Sequence, residues 1–220
     1  TRLFRSHTSR SMRAFVFTPP ALTSRGRQFV WLDINADDER NAALAERLSL
    51  EVFPTFYVLD PADESVVMRR EDGMTVAEMD AFLEEAGRAA SGRDSSSPLE
   101  AALLRADRLN GEGKKPEAAA AYRQALDQAP AGWPPYGRAV VALLFLHQLQ
   151  DENAKCLALA REALPRLSPA SAAVMVARSG LACALGLKKD DAGRAAAIAE
   201  MEAAPRRTLA DPPLRAIAAD

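Results

Sequence analysis

Val52-Phe53-Pro54-Thr55-Phe56-Tyr57-Val58-Leu59 decides how the first half of the chain folds. Residues 55–59 are β-branched, aromatic or aliphatic, types that suit a pleated, half-buried surface, so they read as a strand. Pro54 fits its start, where no amide proton is needed for a ladder. Asp60-Pro61-Ala62-Asp63 is a turn. Residues 65–70 form the next strand, antiparallel because the loop is too short for a crossover. Gly73 ends that strand. Residues 76–90 then place Met79, Phe82, Leu83 and Ala86 on one face of a helix. Toward the N-terminus, residues 37–48 read as an amphipathic helix with Leu44 and Leu48 on its buried face. Residues 28–34 (Gln-Phe-Val-Trp-Leu-Asp-Ile) read as a strand, with Asp33 a turn former at its end. Residues 9–17 read as a helix carrying Met12, Phe15 and Val16, stopped by Thr18-Pro19-Pro20.

The 220 residues suffice for one large domain or two small ones. Lys plus Arg is 28 and Asp plus Glu is 30, which argues against a nucleic-acid binder built on a basic face. Aromatic residues are only 6%, which disfavours an all-β chain, and alanine is plentiful, which favours helices. The longest apolar run, residues 139–146, is far shorter than the ~20 residues of a membrane-spanning helix. Cys156 and Cys183 offer neither a short-spaced zinc pair nor a disulfide framework, and they read as buried small hydrophobes. His7 and His147 are too few and too far apart for a metal cluster, so no metal or cofactor is expected. Met68, Met74 and Met79 read as core or edge fillers.

Ser-Gly-Arg-Asp-Ser-Ser-Ser-Pro at residues 91–98 is a linker. After it everything reads as helix: residues 99–110, 117–129, 136–150, 153–164, 170–185 and 190–203. Pro130, Pro165 and Pro205 mark the ends of three helix pairs, at spacings of 35 and 40 residues. Val140 to Leu146 is apolar almost all round, which predicts a helix buried on every side. Gly180, Ala182 and Ala184 predict a close helix contact in the third pair.

Three stretches of the first half resemble the thioredoxin-like family, over roughly residues 5–90. They are Val52-Phe53-Pro54-Thr55-Phe56, the Asp60-Pro61 turn with its strand and Gly73, and Ser6-His7-Thr8-Ser9-Arg10-Ser11-Met12. The last aligns with that family's Cys-x-x-Cys-Arg-x-Met. The resemblance implies a cis Phe53–Pro54 bond beside the loop of residues 6–9. It implies a nucleophile position at Ser6, a resolving position at Ser9, and substrate contacts from His7, Thr8, Phe53, Pro54 and Thr55. A serine hydroxyl does not ionise near neutral pH and forms no disulfide, so no dithiol exchange runs at this site as written. Arg5 stands where the family often has Trp. The serines are either engineered or native to a degenerate member; a polar loop with a serine helix cap is the plainer alternative. Without a thiolate beside it, His7 reads as an exposed loop histidine. The family's sheet has a further strand between those matching residues 28–34 and 55–59. Only residues 1–5 remain for it, so the chain is expected to be an N-terminally truncated piece with an incomplete sheet.

The second half resembles the tetratricopeptide repeats, whose period is near 34 residues. Ala106, Ala118, Tyr122, Ala125 and Pro130 fall where that family places small residues, an aromatic and a closing proline. Such arrays present a groove to peptides or proteins. Arg105, Arg108 and Asn110 do not match the spacing of that family's carboxylate clamp and read as a solvated helix face.

The expected fold class is therefore an α/β thioredoxin-like domain with an incomplete sheet (residues 1–90), a linker (91–98), and an all-α tetratricopeptide-like domain of three helix pairs (99–220). The expected function is that of a thiol–disulfide oxidoreductase family member, redox-inactive as written, with protein-binding repeats. The alternative is a non-enzymatic scaffold or peptide-binding protein. A protein or peptide partner in the repeat groove is expected, with no nucleic acid and no membrane span. An unfinished sheet leaves room for a homodimer by strand exchange. The family points to a bacterium, in periplasm or cytoplasm.

Overall fold

The computed structural model describes residues 12–17, 28–36, 38–90, 97–167, 171–189 and 192–210. Among them are two strands, β1 (Thr55–Leu59) and β2 (Val66–Glu71), and eight α-helices. The helices are α1 (Ala42–Arg47), α2 (Val76–Ala90), α3 (Pro98–Gly111), α4 (Lys115–Gln128), α5 (Tyr136–Leu149), α6 (Asn153–Ala163), α7 (Ser171–Gly186) and α8 (Arg194–Ala210). The chain divides into two compact units, Thr1–Ala121 and Tyr122–Asp220. The division falls inside α4; of the expected linker at 91–98, residues 91–96 lie outside the described residues. Ser97 caps α3, its hydroxyl accepting from the amides of Leu99 and Glu100, with Pro98 opening the first turn.

In the first unit β1 and β2 pair antiparallel, as the short turn between them requires. Asp60 and Asp63 accept from the amides of Ala62 and Ser65 and fix that turn. The register pairs Val58 with Met68 but Leu59 with Val66, so Val67 is a bulge residue. One face of the hairpin packs on α2 and on a π-helical turn at Met12–Val16. There Met12, Val16, Val58, Met68, Met74, Met79, Phe82, Leu83 and Ala86 form a buried apolar core. A reciprocal capping box starts α2: Thr75 Oγ1 accepts from the Glu78 amide, and Glu78 accepts from the Thr75 amide. The other face of β2 meets α3. The bulge turns Val66 to that side, where it lies so close to Gly111 that a Cβ there would sit 2.7 Å from Val66 Cγ2.

Three expectations are corrected in this unit. Residues 28–34 are not a strand. Their composition suits one, but among the described residues the only ladder joins β1 to β2. Val30 is 91% exposed and Leu32 73% exposed. β propensity records packing against neighbours, and these side chains have no sheet face to pack on. Asn110, expected on a solvated face, is buried, whereas Arg105 and Arg108 are exposed. The expected helix at 37–48 is a 3-10 turn at Glu39–Asn41 followed by α1, with Leu48 buried and Leu44 half-buried.

In the second unit α5 is buried on nearly every side, from Tyr136 through Leu146, as its uniform apolarity predicts. Helices α6 and α7 run antiparallel: Asn153 meets Gly186, Cys156 meets Cys183, and Ala160 meets Gly180. A Cβ on Gly180 would lie 2.9 Å from Ala160 Cβ and 2.6 Å from Met201 Sδ of α8, the close contact expected there. Cys156 and Cys183 are buried, as expected, but they are joined as a disulfide, where the sequence offers no disulfide framework. The antiparallel pairing is the reason: residues far apart in sequence but equidistant from the inter-helix connection fall at one height. Pro205 does not close a helix pair, because α8 runs through it to Ala210. Ala106, Ala118, Tyr122 and Ala125 are each fully buried.

Candidate functional site

The residues expected at a substrate-contacting ridge are Phe53, Pro54 and Thr55, and the structure brings these three together at the entry to β1. The Phe53–Pro54 peptide bond is cis, as the resemblance implies. Pro54 is buried, and its carbonyl accepts from the Asp72 amide at 2.8 Å, which continues the β1–β2 ladder one step past Glu71. Thr55 Oγ1 donates to the Val52 carbonyl at 2.6 Å and closes the bend on itself. Its hydroxyl is thereby committed to the backbone. Phe53 projects outward and is 40% exposed. Among the described residues nothing hydrogen-bonds the Phe53 backbone. A donor and an acceptor on an exposed bend are the groups an added strand would use.

Aromatic side chains gather in the same unit. The Phe17 ring lies 5.9 Å from Phe56 and 6.3 Å from Trp31, and Trp31 lies 6.3 Å from Phe29. The two pairs made by Trp31 are edge-on, a favoured arrangement for aromatic rings, and the Phe17–Phe56 pair is tilted. Phe17 thereby links the π-helical turn, the segment carrying Phe29 and Trp31, and β1. Met12 reinforces the link, its sulfur accepting from the Met74 amide at 3.1 Å. With Val30 and Leu32 exposed beside Trp31, this part of the surface is rich in apolar groups. Ser6, His7, Thr8 and Ser9 lie outside the described residues.

Behind the strands sits a buried polar cluster that the sequence reading missed. Arg69 and Glu71, two residues apart on β2, project from one face toward α3. The Arg69 guanidinium donates to the Asn110 carbonyl at 2.9 Å and to its side-chain oxygen at 3.1 Å. Asn110 Nδ2 donates to Glu71 Oε1 at 2.9 Å. Arg69 Nε lies 3.0 Å from that same oxygen but off the hydrogen-bonding direction, so the contact is an ion pair. Arg69 also stands over the Tyr57 ring, 5.4 Å from its centre. The Tyr57 hydroxyl donates to the Leu48 carbonyl at 2.7 Å, and burial pushes its pKa up to about 12. The signal in the sequence was the Arg-x-Glu alternation on β2, a charged face that only a polar partner on another element could cover.

Elsewhere in this unit Ala45, Glu46, Ser49, Leu50, Glu51 and Lys115 border an open depression of about 390 Å³. Lys115 pairs with Glu51 across it at 2.7 Å, so its one lysine is already neutralised. Among the described residues no group of three or more His, Cys, Asp or Glu is placed to hold a metal ion. No described helix is long and apolar enough to cross a membrane. Compared with protein-family models, with curated proteins and with solved structures, the chain matches none.

Proposed function

We propose that this chain is a thioredoxin-like family member that holds an extended peptide along the Phe53–Pro54 bend, with tetratricopeptide-like repeats that engage a protein partner. In this reading Ser6 and Ser9 occupy the two cysteine positions, and His7 and Thr8 complete the rim. The observation that carries it is an exposed Phe53 whose backbone no described residue hydrogen-bonds, held by a buried cis proline next to β1. An extended peptide gains main-chain hydrogen bonds there.

A second reading takes the chain as a scaffold without enzymatic activity. The sequence has two cysteines, both are in the Cys156–Cys183 disulfide, and both are fully buried. The chain therefore offers no thiol for exchange with a substrate.

The test uses carboxymethylated insulin B chain, an extended peptide with no disulfide, titrated against the protein by fluorescence anisotropy. The proposal expects saturable binding that Phe53→Asp weakens by about tenfold or more, roughly 1.4 kcal/mol. Binding that is absent, or unchanged in a folded Phe53→Asp variant, overturns it.

A further inference from the structure

We infer that the Cys156–Cys183 pair is a covalent maturation site, closed by an external disulfide oxidant and then sealed as a permanent cross-link, so that the chain does its work in an oxidising compartment. The pair lies in the helical unit and is independent of the Phe53–Pro54 bend. Cys156 sits on α6 and Cys183 on α7, with Cα atoms 6.0 Å apart, inside the range a disulfide spans. Small residues make this approach feasible. One turn away Gly180 faces Ala160, with no room between them for another Cβ.

The sulfurs are closed off on every side that a redox partner would need. Both cysteines have no solvent exposure. Ala160, Val176, Ala177 and Ala184 on the same two helices are also fully buried. From α5, the Gln148 amide donates to the Ser179 carbonyl at 3.2 Å and to Cys183 Sγ at 3.4 Å, which covers the pair from the third helix. A disulfide sulfur has no proton of its own, so it can only accept at such a contact.

Thiol–disulfide exchange needs a thiolate in line with the sulfur it attacks. In the folded unit no thiolate reaches either one. Closure must therefore precede final packing of α5 on α6 and α7. In that step one cysteine thiolate attacks a protein or small-molecule disulfide and forms a mixed disulfide. The second cysteine displaces the carrier thiol. The two cysteine protons and two electrons end on the oxidant's sulfurs, so a protein oxidant leaves as a dithiol and a small-molecule disulfide as two thiols. Once packed, the bond is also shielded from reductants. Persistent structural disulfides of this kind belong to oxidising compartments.

The experiment is acid-quenched, denaturing thiol alkylation of the protein taken directly from the cells that make it, read by intact mass. The expected result is no alkylated cysteine before reduction and two after it. Two alkylated cysteines before reduction overturn the inference. A second measurement follows dithiothreitol reduction of the purified oxidised protein, with and without denaturant. Reduction is expected to be slow in native buffer and to accelerate with unfolding. Reduction in native buffer as fast as that of a solvent-exposed disulfide overturns the sealed cross-link and makes the pair a reversible switch instead.

Discussion

Arg69 on β2 and Asn110 on α3 meet through two hydrogen bonds from one guanidinium nitrogen, at 2.9 and 3.1 Å, with both residues buried. The contact spans 41 residues of sequence and fastens the hairpin to a helix that composition assigns to the second half. It also explains why an arginine tolerates burial here. Glu71 balances its charge, and Asn110 hydrogen-bonds to both of them.

Removing one member of this cluster leaves charge buried without its partner. Arg69→Ala, which strands Glu71, is expected to cost about 3–5 kcal/mol of stability. Asn110→Ala is expected to cost less, about 1–3 kcal/mol, because the ion pair survives. Urea unfolding of each variant measures this. Equal, sub-kilocalorie costs would show that the cluster does not hold the hairpin to α3.

The contact between Gly111 and Val66 makes a packing prediction. Gly111→Ala puts a methyl group 2.7 Å from Val66 Cγ2 and 3.0 Å from its Cβ, and a β-branched side chain on a strand cannot swing away. The expected loss is about 1–3 kcal/mol. Val66→Ala in the same chain makes room, so the double variant should recover part of that loss in a double-mutant cycle. Strict additivity of the two changes would contradict the close approach.

Tyr57 predicts a dependence on alkaline pH. Its phenol is held protonated up to about 12 by burial, against an ordinary value of 10.0. The folded state therefore keeps a proton that the unfolded chain loses first. The resulting stability is fully present below about pH 10 and is lost as pH rises through about 12. Phenolate absorbance of the wild type minus that of Tyr57→Phe should show a step near 12 and none near 10. The variant also loses the bond to the Leu48 carbonyl, about 0.5–1.5 kcal/mol.

Local patterns carried the elements whose partners are adjacent in sequence. The β1–β2 hairpin is legible because its turn residues and both strands lie within a short stretch. Helix α2 is legible because Met79, Phe82, Leu83 and Ala86 repeat at helical spacing. The failures share a cause. A strand at residues 28–34 needs a neighbour that residue types cannot supply. The burial of Asn110 depends on Arg69 and Glu71 lying opposite it. The Cys156–Cys183 bond depends on the antiparallel register of α6 and α7. Each is set by long-range pairing, which a periodicity argument does not see. At the candidate site, the bend at Phe53-Pro54-Thr55 was legible from its motif. The ring contacts of Phe17 with Phe56 and Trp31 were not, since nothing local ties those three residues together.

The most direct test of the thioredoxin-like reading restores the thiols it says are missing. Ser6→Cys combined with Ser9→Cys, in the full chain, is assayed for dithiothreitol-coupled insulin reduction against the unmodified protein. The account predicts a blank for the unmodified chain and insulin precipitation with the double variant, lowered by adding Phe53→Asp. A folded double variant that leaves insulin intact contradicts it.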